Sequence, residues 1–92
     1  VALCEALKVN YTLKHIDLNN SEIRDEGAIA LGTALKDNHC LITLSLAICQ
    51  IRDAGVQALG EMLQTNTTLT YLELGANIIT NITADAFYKS LN

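Results

Sequence analysis

The chain has 92 residues and a formal net charge of −4, ten acidic side chains facing six basic ones. A chain of this length buries only about 60–65% of the surface it exposes when unfolded, so it makes at most one small domain. The acid excess excludes a basic nucleic-acid face, the 50% hydrophobic content excludes a disordered tail, and no apolar run approaches the ~18 residues that would cross a bilayer.

From the N-terminus, residues 1–12 read as the closing turns of a helix, with Ala2, Leu3 and Leu7 apolar and Asn10 as its stop. Alternation then predicts a half-buried strand over Leu13-Lys14-His15-Ile16-Asp17-Leu18. Asp25 stands where a helix N-cap is wanted, and Ala28, Leu31, Ala34 and Leu35 make one apolar helical face. Asn38 ends that helix, where asparagine can replace glycine in a left-handed cap. The pattern restarts at once. Leu41–Leu46 alternates, Asp53 takes the cap position, Val56, Leu59, Met62 and Leu63 form the helical face, and Asn66 ends it. A third strand is predicted over Leu69–Leu74, followed by a cap at Asn81 and apolar Ala86, Phe87 and Leu91.

The restart has a period of 28. Residues 13–40 and 41–68 align without gaps and are identical at 11 of 28 positions, among them Ile23/Ile51, Arg24/Arg52, Asp25/Asp53 and Gly27/Gly55. Columns such as Leu3, Leu31, Leu59 and Phe87 extend the step through the whole chain. A period of this size marks a solenoid, because one strand and one helix cannot bury their apolar faces without neighbours. The expected organisation is a preceding unit's tail (1–12), two units (13–40 and 41–68) and an incomplete one (69–92), together an excerpt of a longer solenoid.

Leu13-x-x-Ile16-x-Leu18-x-x-Ser21-x-Ile23 with Gly27, Leu31, Leu35 and Asn38 resembles a leucine-rich repeat of the 28-residue, ribonuclease-inhibitor-like class. Leu41-x-x-Leu44-x-Leu46-x-x-Cys49-x-Ile51 fits as well, and Leu69-x-x-Leu72-x-Leu74-x-x-Asn77-x-Ile79 follows, with Thr83 in place of the glycine. The resemblance implies an α/β fold, a right-handed βα solenoid of horseshoe form with a short parallel sheet on the concave side and helices on the convex side. It implies that Ser21, Cys49 and Asn77 satisfy backbone groups in the loop leaving each strand. It also implies a non-catalytic protein-interaction scaffold, with a Ran-activating type of GTPase regulator or the sensing region of a nucleotide-binding immune receptor as alternatives.

The exposed strand positions are the candidate binding surface, since they form a ladder on a rigid sheet. One column is His15, Thr43 and Tyr71; the next is Asp17, Ser45 and Glu73; the third is Asn19, Ala47 and Gly75. Tyr71 is the best single anchor, because aromatic side chains dominate interface energetics. His15 and Asp17 share a strand face but have no nucleophile placed with them, so no enzyme is expected. Arg24 and Arg52 recur beside Asp25 and Asp53 as a solvated rim, with a phosphate or GTPase contact as the sharper alternative. Gly27 and Gly55 ease entry into the helices and form no phosphate loop.

No cofactor or metal is expected, because His39–Cys40 is a lone pair and no cluster has zinc-ligand spacing. Three cysteines (Cys4, Cys40, Cys49) without a framework spacing point to reduced thiols and a cytoplasmic location. Four glycosylation acceptor patterns begin at Asn10, Asn19, Asn66 and Asn81. The period gives three of those asparagines a backbone role, so the matches read as coincidence. The expected partner is a protein of unknown identity, with no nucleic acid and no membrane.

Overall fold

The computed structural model describes residues 2–78; Asn81, Thr83, Phe87 and Leu91, with the rest of the expected third unit, lie outside that range. Six elements follow one another: α1 (Ala2–Val9), β1 (His15–Asp17), α2 (Arg24–Leu35), β2 (Thr43–Ser45), α3 (Asp53–Leu63) and β3 (Tyr71–Glu73). The strands form one parallel sheet in the order β1-β2-β3. His15 pairs with Thr43 and Thr43 with Tyr71, so the register between neighbours is the 28-residue period itself. This is a βα solenoid. Consecutive parallel strands need a crossover, and α2 and α3 supply it.

Each strand is three residues long where alternation predicts six. The inter-strand hydrogen bonds run further than the strands. Leu18 N–H donates to Ser45 O (2.9 Å) and Asn20 N–H to Ala47 O (2.8 Å), while Ile42 N–H reaches back to Lys14 O (2.7 Å). The backbone therefore stays paired as it turns out of the sheet. The turn is made by left-handed residues in one column, Asn20 (φ 60°), Ile48 (φ 56°) and Ala76 (φ 56°).

The core runs between sheet and helices. Leu35, Leu41, Leu44, Leu46, Cys49, Ile51 and Leu59 have no exposed surface. The helical faces pack largely as their spacing predicts: Ala28, Leu31, Ala34 and Leu35 are buried on α2, and Val56, Leu59 and Met62 on α3, with Leu63 only half-buried. Gly32 lies mid-helix, at a cost of about 1 kcal/mol relative to alanine. The neighbour explains it, since a Cβ there would stand 3.1 Å from the Ala58 carbonyl oxygen. A side chain there would press on the backbone of α3, which would have to yield by a few tenths of an ångström.

The helix ends depart from expectation twice. Asp25 does not cap its own helix: α2 starts at Arg24 behind Ile23, which makes no side-chain cap bond, and α3 starts at Asp53 itself, one position past its N-cap residue Arg52. Asp25 caps the next unit instead. Its Oδ1 accepts the N–H groups of Arg52 (2.7 Å) and Gly55 (3.0 Å), satisfying two otherwise orphaned donors at the start of α3. Gly55 has to be glycine for this, because a Cβ would lie 2.7 Å from that oxygen.

The helix-ending asparagines are the second departure, since none of Asn10, Asn38 and Asn66 has a positive φ. They link units rather than bend the chain. Asn66 Nδ2 donates to Leu35 O (2.7 Å) and Asn38 O (2.9 Å), and its Oδ1 accepts from Thr68 and Leu69 N–H. Asn38 repeats the arrangement with Leu7 O, Cys40 N–H and Leu41 N–H. Asn38 and Asn66 are 2% and 3% exposed. A buried amide with all its groups used holds three backbone segments together.

Candidate protein-binding face

The strand register brings the three candidate columns into rows. His15, Thr43 and Tyr71 stand side by side, as do Asp17, Ser45 and Glu73, because side chains two apart on a strand share a face. His15 Nδ1 and the Thr43 hydroxyl are 2.7 Å apart. The Asp17 carboxylate accepts the Asn19 N–H (2.9 Å) and bonds that neighbour, not His15. Glu73 does the same one face-length away, accepting the Gly75 N–H (2.7 Å). Between them Asn19 Oδ1 accepts both the Ser45 hydroxyl (2.6 Å) and the Ala47 N–H (2.8 Å). The polar groups of this face are largely held in place before any partner arrives.

Tyr71 is the aromatic side chain of this face, with 53% of its surface exposed. Its hydroxyl donates to Glu73 Oε2 (3.2 Å). That bond, with the negative charge of Glu73 second and slight desolvation third, raises the phenol above its ordinary pKa. The same bond orients the ring beside the Glu73 carboxylate. Ser45 donates to an amide oxygen, which takes no proton from it. The face offers an aromatic anchor and negative charge, which suits an apolar and basic protein surface.

The loops above the strands hold the structural column. Cys49 is buried, and its Sγ contacts Leu18 O (3.1 Å) and Ala47 O (3.3 Å). Asn77 Nδ2 donates to Leu46 O and Leu74 O, while its Oδ1 accepts Cys49 and Ile51 N–H. Ser21 in the same column is half-buried. Further along the rim, Arg24, Asp25, Glu26, Gln50, Arg52 and Ile78 line an open cleft of about 360 Å³. Arg24 is held there by Glu22 (2.9 Å) and Gln50 (3.4 Å). The Arg52 guanidinium makes no ion pair among the described residues.

Two features escaped the sequence reading. The cross-unit cap by Asp25 had one signal, a glycine 30 positions later where a side chain would collide with it. The left-handed conformation of Ile48 and Ala76 had none, since β-branched and small non-glycine residues rarely adopt it. Among the described residues no group of three or more His, Cys, Asp or Glu could hold a metal ion, and no helix is long and apolar enough to cross a membrane.

The leucine-rich repeat family model matches residues 9–32, 37–60 and 65–86. The chain belongs to the leucine-rich repeat family. No curated protein matches the chain by sequence. Among solved structures, the actin-binding site 2 of leiomodin-1 is 30% identical with a TM-score of 0.87, covering 95% of this chain and 51% of that one. The tropomodulin C-terminal domain of Caenorhabditis elegans shares the fold at 23% identity, with a TM-score of 0.88 over 98% of this chain and 55% of that one. The leucine-rich repeats described here thus span about half the length of these neighbours.

Proposed function

We propose that this leucine-rich repeat chain is a non-catalytic protein-interaction module whose strand face engages a protein partner. The observation that carries the reading is the ladder of His15, Thr43 and Tyr71 over Asp17, Ser45 and Glu73, in register and pre-bonded. A rigid surface loses little side-chain entropy on binding, which favours recognition. Actin is the first partner to test. The support is the likeness at 30% identity to a solved structure named as an actin-binding site of leiomodin-1. The same neighbours lend no support to a Ran-activating or immune-sensing role.

The 28-residue register supports the ribonuclease-inhibitor-like subclass of the family. A cytoplasmic location is part of the proposal. It is supported by the free thiols of Cys4, Cys40 and Cys49 and by the buried amide of Asn66, whose nitrogen already serves two carbonyls and is not open to a glycan.

Binding of the fluorescently labelled chain to monomeric actin tests the partner. The expectation is saturable binding weakened about tenfold or more by Tyr71→Ala and unchanged by Gln57→Ala on the outer side of α3. Absence of binding eliminates actin. A photo-crosslinker placed at Thr43 or Tyr71, and at Gln57 for comparison, then tests the face in cells. Adducts from Gln57 alone would sink the strand-face reading.

A further inference from the structure

We infer that the Arg52 guanidinium, in the rim cleft at the starts of α2 and α3, is a recognition point for a carboxylate that a protein partner presents beside an aliphatic side chain. The cleft is separate from the strand face, and its role does not depend on what that face binds.

Two arginines one period apart carry the inference. Arg24 is committed from both sides: its own loop supplies Glu22 (2.9 Å) and the following loop supplies Gln50 (3.4 Å). One period on, the positions of Glu22 and Gln50 are held by Gln50 and Ile78. The carboxylate has become an amide whose oxygen already serves Arg24, and the amide has become a side chain with no acceptor. Arg52 is exposed, and its guanidinium has no partner among the described residues. A free guanidinium fork beside an aliphatic wall is one half of a bidentate pair with a carboxylate.

The helix terminus under the cleft is not the binding group. Asp25 Oδ1 already takes the N–H groups of Arg52 and Gly55, and the Arg24 N–H bonds Cys49 O (2.9 Å). The donors left to a ligand are those of the Arg52 side chain. Charge then selects the ligand. Arg24, Arg52, Asp25 and Glu26 line the cleft, two of each sign, and Arg24 is further neutralised by Glu22. A phosphate dianion would meet two carboxylates with one free arginine to hold it, whereas a single carboxylate is matched by that arginine alone. Ile78, 54% exposed, offers apolar surface to the neighbouring side chain of the same segment. The rim thus takes the opposite charge from the strand face, which carries Asp17 and Glu73.

The test titrates a terminally blocked peptide, Gly-Gly-Glu-Leu-Gly-Gly, into the isotope-labelled full chain and follows the Arg52 Nε–H and Ile78 N–H resonances. A saturable shift in the millimolar range is expected. Arg52→Gln, whose side chain bonds nothing in the fold, should leave the melt unchanged and weaken binding about fivefold or more. Gln in place of the peptide's Glu should do the same. Ile78→Gln should also weaken it, by giving Arg52 the acceptor that Gln50 gives Arg24. Lys36→Gln, which removes an equal charge at the far end of α2, should change binding by less than about twofold. No saturable shift overturns the inference, as does an equal loss from Lys36→Gln or undiminished binding to Ile78→Gln. Inorganic phosphate binding more tightly than the peptide would give the cleft to a phosphate and overturn it too. The titration contains no actin, so its failure bears on the rim alone and leaves the strand face to its own test.

Discussion

The tripeptide Ile-Arg-Asp occurs twice, at 23–25 and at 51–53, and the two copies do not share a backbone. In the first loop Asn20 and Arg24 are left-handed; in the second they are Ile48 and Gln50, and Arg52 is extended. The apolar flanks differ in the same sense, with Leu18 and Ile23 half-buried and Leu46 and Ile51 fully buried. What separates the two loops is the neighbour. The second loop has a preceding unit with Asp25 at the right place, and the first has none among the described residues. A repeat's local structure is thus set partly by the unit before it, as expected where stability comes from nearest-neighbour interfaces.

The comparison breaks most sharply at the core. Leu46→Asp should abolish the cooperative melt, because it strands a charge with no exposed surface. Leu18→Asp, half-exposed one period earlier, should leave a folded chain with a lower midpoint. The alanine versions give the scale on a denaturant curve: about 3–4 kcal/mol for Leu46→Ala and about half of that for Leu18→Ala. Equal losses at the two sites would remove the distinction between covered and uncovered units.

The asparagine column is the next largest contrast. Asn66→Ala leaves the Asn38 carbonyl and the N–H groups of Thr68 and Leu69 without partners, removes the shorter of two bonds to Leu35 O, and should cost about 3 kcal/mol, whereas Asn10→Ala removes only the acceptor side and should cost about 1 kcal/mol. Asp25→Ala should cost about 1–2 kcal/mol, the usual worth of a helix cap, and speed amide exchange at Arg52 and Gly55 before it affects α2. The smallest effect has the opposite sign. Ile48→Asn should stabilise by about 1 kcal/mol, since asparagine tolerates a left-handed φ that a β-branched side chain resists. The reciprocal Asn20→Ile should cost a similar amount; a gain there would mean that the turn column is not under local strain.

Much of the fold was legible in the residues, for a physical reason. A period is a statement about packing: Leu44, Leu46, Leu59 and Ile51 could be placed in a core because each column had to meet its copy one unit away. The strand-face columns were legible for the same reason, since alternation and period together fix both face and row. Asp25 was read as a cap, correctly as chemistry but for the wrong helix, because a cap on its own helix is the only kind a local window can show. Asn38 and Asn66 were read as chain-benders, because propensity describes one backbone and their amides serve three.

By itself, then, the sequence determined the repeating strand and helix, the register of 28 and the identity of the side chains presented on the sheet. Those depend on side-chain periodicity, which every unit carries in full. The tertiary structure decided which way each loop turns, which helix each aspartate caps and which arginine on the rim is committed. Those depend on hydrogen-bond partners about 26 to 31 positions away, whose presence is a property of the neighbouring unit and not of the segment.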